Sequence, residues 1–259
     1  MFSFDDYRKI IALIKESGRG CTYREALERD DFILMRHDVE YSVERAFALS
    51  EVETEMGFSS YFFFQWTNNS YNILSKKNRD LLTIMHDRGQ HIGLHFALNG
   101  MTDMEVVRDR IRQEIMMLGN MLGFPVDTFS IHRPSKEVLA ENIKFPDLLN
   151  AYQDEFFTFA PDAGPESDLA VKYLSDANHI WRYGYPDEET IASHRKIQIL
   201  AHPFAWTKEG YDNKENFRTL LEEKYAELFD SVDRECKDFQ EYREELERVP
   251  MVYKTEQKA

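Results

Sequence analysis

Apolar positions along the chain fall into two rhythms that take turns. Residues 5–16 carry them at helical spacing, and "FILMR" (32–36) is a short continuous apolar run of the kind that forms a buried strand. Residues 43–56 return to the helical period, opened by Ser42 as a cap and stopped by Gly57. "SSYFFF" (59–64) reads as a second strand, 78–88 as a short helix closed by Gly89, and "HIGLHF" (91–96) as a third strand. A long amphipathic helix is predicted over 103–122, ending at Gly123. "VDTFSIH" (126–132), "LAVKYLS" (169–175) and "IQILAHP" (197–203) supply further strands.

Strand-then-helix units in succession predict parallel strands joined by helical crossovers, as a barrel or as an open doubly wound sheet. Neither GxGxxG nor GxxxxGK[ST] occurs, which counts against the nucleotide-binding versions. Residues 213–248 set Phe217, Leu220, Leu221, Tyr225, Leu228, Phe229, Val232, Phe239 and Leu246 on a highly charged background. That pattern predicts one long C-terminal helix laying an apolar face on the domain, its charge run solvated. No repeat or low-complexity linker divides the 259 residues, so a single domain is expected.

Charge narrows the partners. With 32 Lys and Arg against 47 Asp and Glu the net charge is -15, which repels phosphate backbones and anionic lipid, so no nucleic acid partner is expected. No run approaches the ~18 apolar residues of a membrane span, and "MFSFDDYRKI" lacks a leader pattern, so a cytoplasmic protein is expected. Cys21 and Cys236 form no CxxC pair, so any metal must be held by nitrogen and oxygen.

The polar residues that matter stand where strands end. Arg36, His37, Asp38 and Glu40 follow the first apolar run directly; His95 ends the third strand, His132 and Arg133 the next, and His202 a later one. In parallel α/β folds ligands gather at the carboxyl ends of strands. Asp38 and Glu40, two apart, share one face of extended chain. Two like charges held close need a cation between them or one must protonate, so they are either a divalent-metal pair or a turn that caps the helix beginning at "YSVER". His91 and His95 also share a face, but in a strand they are roughly 13 Å apart and cannot hold one metal; His95, at the strand end, is the better ligand. Pro134 predicts extended geometry at Arg133, which can clamp a carboxylate or stand exposed in a loop. His202, before Pro203, is a candidate acid or base.

"RHDVEYS", "RGQHIGLHF", "IHRPS", "YLSDANHIW" and "ILAHP" occur in the order of the motifs of the NodB-homology polysaccharide deacetylases. Over about residues 30–206 the chain resembles in particular the divergent subgroup with an HDVD-like first motif, associated with surface-polysaccharide synthesis. The resemblance implies a distorted (β/α) barrel of about seven parallel strands and a metal-dependent hydrolase of carbon–nitrogen (non-peptide amide) bonds. Its expected substrate is an N-acetylated sugar or glycan intermediate and its cofactor a divalent metal, zinc by preference. It implies Asp38 as catalytic base, Glu40 as acidic metal ligand, His95 as first histidine ligand, Arg133 as the arginine that orients the base, and His202 as general acid. Asp176 and Trp181 match the motif that lines the site and positions the histidine.

Two positions depart from the pattern. The metal-binding acid falls one residue late, at Glu40, which leaves the roles of Asp38 and Glu40 interchangeable. The second histidine expected four residues after His95 is Asn99, a weak zinc donor. Either His132 supplies the missing imidazole, or metal is held weakly, or catalysis is lost. Trp66, Tyr71, Trp181 and Trp206 lie near strand ends and are candidates to stack on sugar rings. The alternatives to a sugar deacetylase are a catalytically inactive carbohydrate-binding protein on the same barrel and an amidohydrolase of a non-sugar amide.

Overall fold

A computed structural model describes residues 2–158 and 171–246. The chain forms two compact units, Met1–Asn216 and Phe217–Ala259. The first runs α1 (Phe4–Ser17), α2 (Tyr23–Ala26), β1 (Phe32–Val39), α3 (Val43–Glu55), β2 (Tyr61–Phe64), α4 (Lys76–Asp87), β3 (His91–Ala97), α5 (Met104–Leu122), β4 (Thr128–His132), α6 (Lys136–Ala140), β5 (Leu149–Asn150), β6 (Lys172–Ser175), α7 (Glu188–Ser193) and β7 (Lys196–Ala201). The seven strands make one sheet in the order β5-β4-β3-β2-β1-β7-β6, and every neighbouring pair is parallel. The sheet curls into a distorted, incomplete (β/α) barrel, the architecture expected from the motifs.

Strand parity sorts the side chains. Ile33 and Met35 of β1 pack with Ile10, Ile14, Leu49 and Val52 of the outer helices, whereas Phe32 and Leu34 join Tyr61, Phe63, Leu149 and Phe156 inside the sheet's curve. The same alternation continues past the apolar run. His37 falls on the helix side, where its Nε2 lies 2.9 Å from Glu53 Oε1 and 3.0 Å from the Tyr7 hydroxyl. Arg36 and Asp38 share the interior face with Phe32 and Leu34. The ionisable run therefore serves two sites on opposite faces, and His37 belongs to the structural one.

On β3, Ile92, Leu94 and Phe96 feed the outer core, and the alternate positions turn inward. Gly93 is one of them: a Cβ there would overlap two ring carbons of Phe63, so a side chain at that point would have to displace the ring. β7 repeats the rule, with Ile197, Ile199 and Ala201 outside and Gln198 inside, bonded to the Tyr23 hydroxyl and the carbonyls of Ala151 and Phe156.

Most element bounds follow the sequence reading, with local differences that have local causes. The helix expected over 78–88 begins at Lys76, because the Ser75 hydroxyl accepts from the Asn78 N–H and caps it earlier. The strand expected over 169–175 is β6; Leu169 and Ala170 lie outside the described residues. The single helix expected over 213–248 is two, α8 (Asn213–Glu235) and α9 (Phe239–Leu246), separated by a turn at 236–238; residues 247–248 are outside the described range. Within the second unit, Phe229 packs edge-on against Phe239 at 5.0 Å and Arg243 pairs with Asp233, contacts that hold α9 back along α8.

Candidate active site

Register brings the strand-end residues together. His95 is paired with Ser130 and Ala97 with His132 across β3 and β4, so inward side chains of one strand meet those of the next at the same height. His95 Nε2 lies 3.1 Å from His132 Nδ1, and His132 Nδ1 lies 3.3 Å from Glu40 Oε1. A donor atom from each of Glu40, His95 and His132 lies within 4.8 Å of the other two. These are the three groups of the alternative in which His132 would supply the second imidazole. Asn99, the fourth expected ligand, sits in an exposed turn after β3 with φ 48, a conformation asparagine tolerates.

The carboxylate behind the cluster is fixed by a residue the motif reading missed. Ser130, fully buried, donates its hydroxyl hydrogen to Asp38 Oδ1 at 3.0 Å and lies 2.7 Å from His95 Nδ1. A hydroxyl has one hydrogen and a carboxylate only accepts, so Ser130 must accept from His95, and the ring hydrogen is on Nδ1. Asp38 Oδ2, 3.8 Å from the same nitrogen, favours the same tautomer. His95 Nε2 is thereby left as a lone pair aimed at His132 and Glu40, the state a metal ligand needs. Burial pushes the His95 imidazole down to about 4 against the pull of Asp38, so the ring is neutral at pH 7.

Burial is the largest influence on Asp38 and opposes its charge, but the Arg36 guanidinium, His95, His202 and the Ser130 hydroxyl together hold the carboxyl below the ordinary range. Glu40 behaves likewise, lowered against burial by its hydrogen bond to His132 and by the His202 imidazolium. One ionised carboxylate, Glu40, and two imidazoles make a donor set of nitrogen and oxygen that suits zinc or another borderline divalent ion.

The acid side is built from β6 and β7. Asp176 accepts from the His202 backbone N–H with both oxygens at 3.0 Å, from His202 Nδ1 at 2.6 Å and from Trp206 Nε1 at 2.8 Å. Burial works against the His202 imidazolium, but the Asp176 charge and hydrogen bond raise it to about 9, with Glu40 and Asp38 adding to the effect. His202 is thus a cation at neutral pH whose Nε2–H is the proton left to give.

Three expectations are corrected by these placements. Arg133 is exposed, has the left-handed φ of 46 in place of extended backbone, and acts on the Tyr41 hydroxyl instead of Asp38. Trp206 is 1% exposed and spends its indole N–H on Asp176, so it is core and cannot stack on a sugar. Asp176 is 1% exposed and its oxygens are occupied by His202 and Trp206, so of the two roles expected of it, it orients the histidine but does not line the site. Trp181 packs half-buried, edge-on to Tyr185 and Trp206. Tyr71 is buried too, donating to the Val39 carbonyl and accepting from the Gln65 N–H, and so ties β1 to the end of β2.

No family model and no curated protein matches the chain. Among solved structures, a CE4 family pseudoenzyme from Bacillus anthracis is 14% identical over 75% of this chain and 60% of its own, with a TM-score of 0.44. A family 4 carbohydrate esterase from the same organism is 18% identical over 84% of this chain and 85% of its own, at 0.43. The chitin deacetylase of the fungal pathogen Colletotrichum lindemuthianum is 13% identical over 74% and 81%, at 0.40. The chain spans about three fifths of the length of the pseudoenzyme. Among the described residues no helix is long and apolar enough to cross a membrane.

Proposed function

We propose that the chain is a metal-dependent deacetylase that removes the acetyl group from an N-acetylated sugar or glycan intermediate. The observation that carries the reading is the convergence of Glu40, His95 and His132 beside a buried carboxylate, Asp38, and within the electrostatic reach of a protonated imidazole, His202. The motif order supports the sugar class of substrate. Two unpaired cysteines suit the reducing cytoplasm that the reading includes.

Glu40, His95 and His132 would hold the cation, zinc by preference. When bound, such an ion polarises an amide carbonyl and lowers the pKa of a water. The chain's own groups do the proton work. Asp38, kept ionised against its burial by Arg36 and its polar neighbours together, takes the proton of the attacking water. His202 gives its Nε2 proton to the departing amine nitrogen, and Asp176 keeps the ring oriented and charged until it does. Base and acid stay in opposite protonation states at one pH because their environments push them apart.

The test is acetate release from a panel of N-acetylated sugars by the purified protein, with metal content measured on the same sample. Release that a chelator abolishes and zinc restores supports the reading. Metal-loaded protein that binds sugars without releasing acetate makes it a carbohydrate-binding barrel, and hydrolysis confined to non-sugar amides makes it a different amidohydrolase.

A further inference from the structure

We infer that Arg36, on the same strand as the base, is the positioning residue of Asp38, taking the place that the motif pattern gives to Arg133. The inference rests on the deacetylase reading for its functional part and on geometry for the pairing. Arg36 is completely buried, its Nη1 lies 3.5 Å from Asp38 Oδ1, and its guanidinium stacks over the Tyr152 ring at 4.3 Å. Its Nε and Nη2 have no hydrogen-bond partner among the described residues, and no other carboxylate there lies within ion-pair distance. A buried guanidinium is tolerated when a carboxylate answers it, so the pair is held by mutual need.

The contact also selects an atom. Asp38 Oδ1 receives both Arg36 and the Ser130 hydroxyl, while Oδ2 faces His95 at 3.8 Å. Oδ1 is the anchored oxygen and Oδ2 the one left to accept a proton. The 36–38 spacing alone places both groups on one strand face, so no loop is needed to deliver the arginine. Arg133 cannot deliver it: it is exposed and turned to Tyr41.

A double-variant cycle with Arg36→Met and Asp38→Asn, read by turnover and by thermal unfolding, tests this. In turnover, Arg36→Met should lower kcat about 100-fold, the low end of what a working base contributes, with KM little changed. Arg36→Lys, which keeps the charge but loses the planar fork, should recover part of it, and Arg133→Met should cost less than Arg36→Met. Added to Asp38→Asn, Arg36→Met should cost almost nothing more. An equal loss in both backgrounds overturns the inference, because a merely structural arginine would act with or without the base. In unfolding, the double variant should lose less Tm than the sum of the single losses; additive losses overturn the pairing. Should the wild-type chain release no acetate, the deacetylase reading fails and the unfolding cycle still decides the pair. Should Arg36→Met not fold, Arg36→Lys with Asp38→Asn runs the same cycle.

Discussion

Replacing Ser130 with Ala tests whether one hydroxyl sets the state of the metal ligand. The substitution removes a single buried oxygen and with it two contacts, the 3.0 Å donation to Asp38 and the 2.7 Å acceptance from His95 Nδ1. A hydrogen bond to a charged group contributes about 1.5–3 kcal/mol and one to a neutral group about 1 kcal/mol, so a loss of about 2–4 kcal/mol is expected. For a unit of this size that lowers Tm by roughly 5–15 °C. The metal effect is separate. Without the Ser130 acceptor, only the more distant Asp38 Oδ2 still favours a hydrogen on His95 Nδ1, and the Nε2–H tautomer, which cannot bind a cation, becomes more populated. Loss of such an outer partner typically weakens metal binding about 10–100-fold, or about 1.4–2.8 kcal/mol. Zinc titration against a competing chelator measures this, and unfolding with and without zinc measures the rest. Ser130→Thr retains the hydroxyl and should keep most of the affinity. Zinc binding by Ser130→Ala within twofold of wild type would refute the tautomer argument.

The pH dependence of His202 has a definite sign. Its folded value of about 9 lies above the ordinary 6.5, so its stabilisation is full below pH 6.5 and is lost as pH rises through about 9. Wild-type Tm should fall across that window, and Asp176→Asn should shrink the fall and move the alkaline limb of turnover to lower pH; an unmoved limb would show that Asp176 does not govern the acid. Gly93→Ala should cost about 1–3 kcal/mol through overpacking against Phe63, read as a lower Tm in thermal unfolding, and an unchanged Tm would mean the interior can yield there.

The strands, their parallel arrangement and the position of polar groups at their ends were legible in the sequence because each depends on local pattern. Apolar runs bounded by turn residues give strands, and parity gives faces. Asp38, Glu40, His95, His132 and His202 were placed at or just past strand ends that way. The pairings were less legible. Arg133 drew the base-orienting role from its place in the "IHRPS" motif, and Pro134 predicted extended backbone, yet the residue takes φ 46 and its side chain meets Tyr41. Trp206 had the composition of a sugar platform, but nothing local reveals that a buried carboxylate 30 residues earlier claims its N–H.

Arg36 and Ser130 carried a usable signal all the same. Each lies two residues before a candidate site residue on its own strand, Asp38 and His132, and alternation alone puts each pair on one face. Two steps further into the barrel means deeper burial, and a polar group at that depth has to be spent on a neighbour. With β3 and β4 in register, the neighbour of Ser130 is His95, and the neighbour of Arg36 is Asp38. The layer beneath the strand ends thus fixes one oxygen of Asp38 and one nitrogen of His95, the proposed base and the proposed ligand. The opposite oxygen and the opposite nitrogen are the atoms left for chemistry.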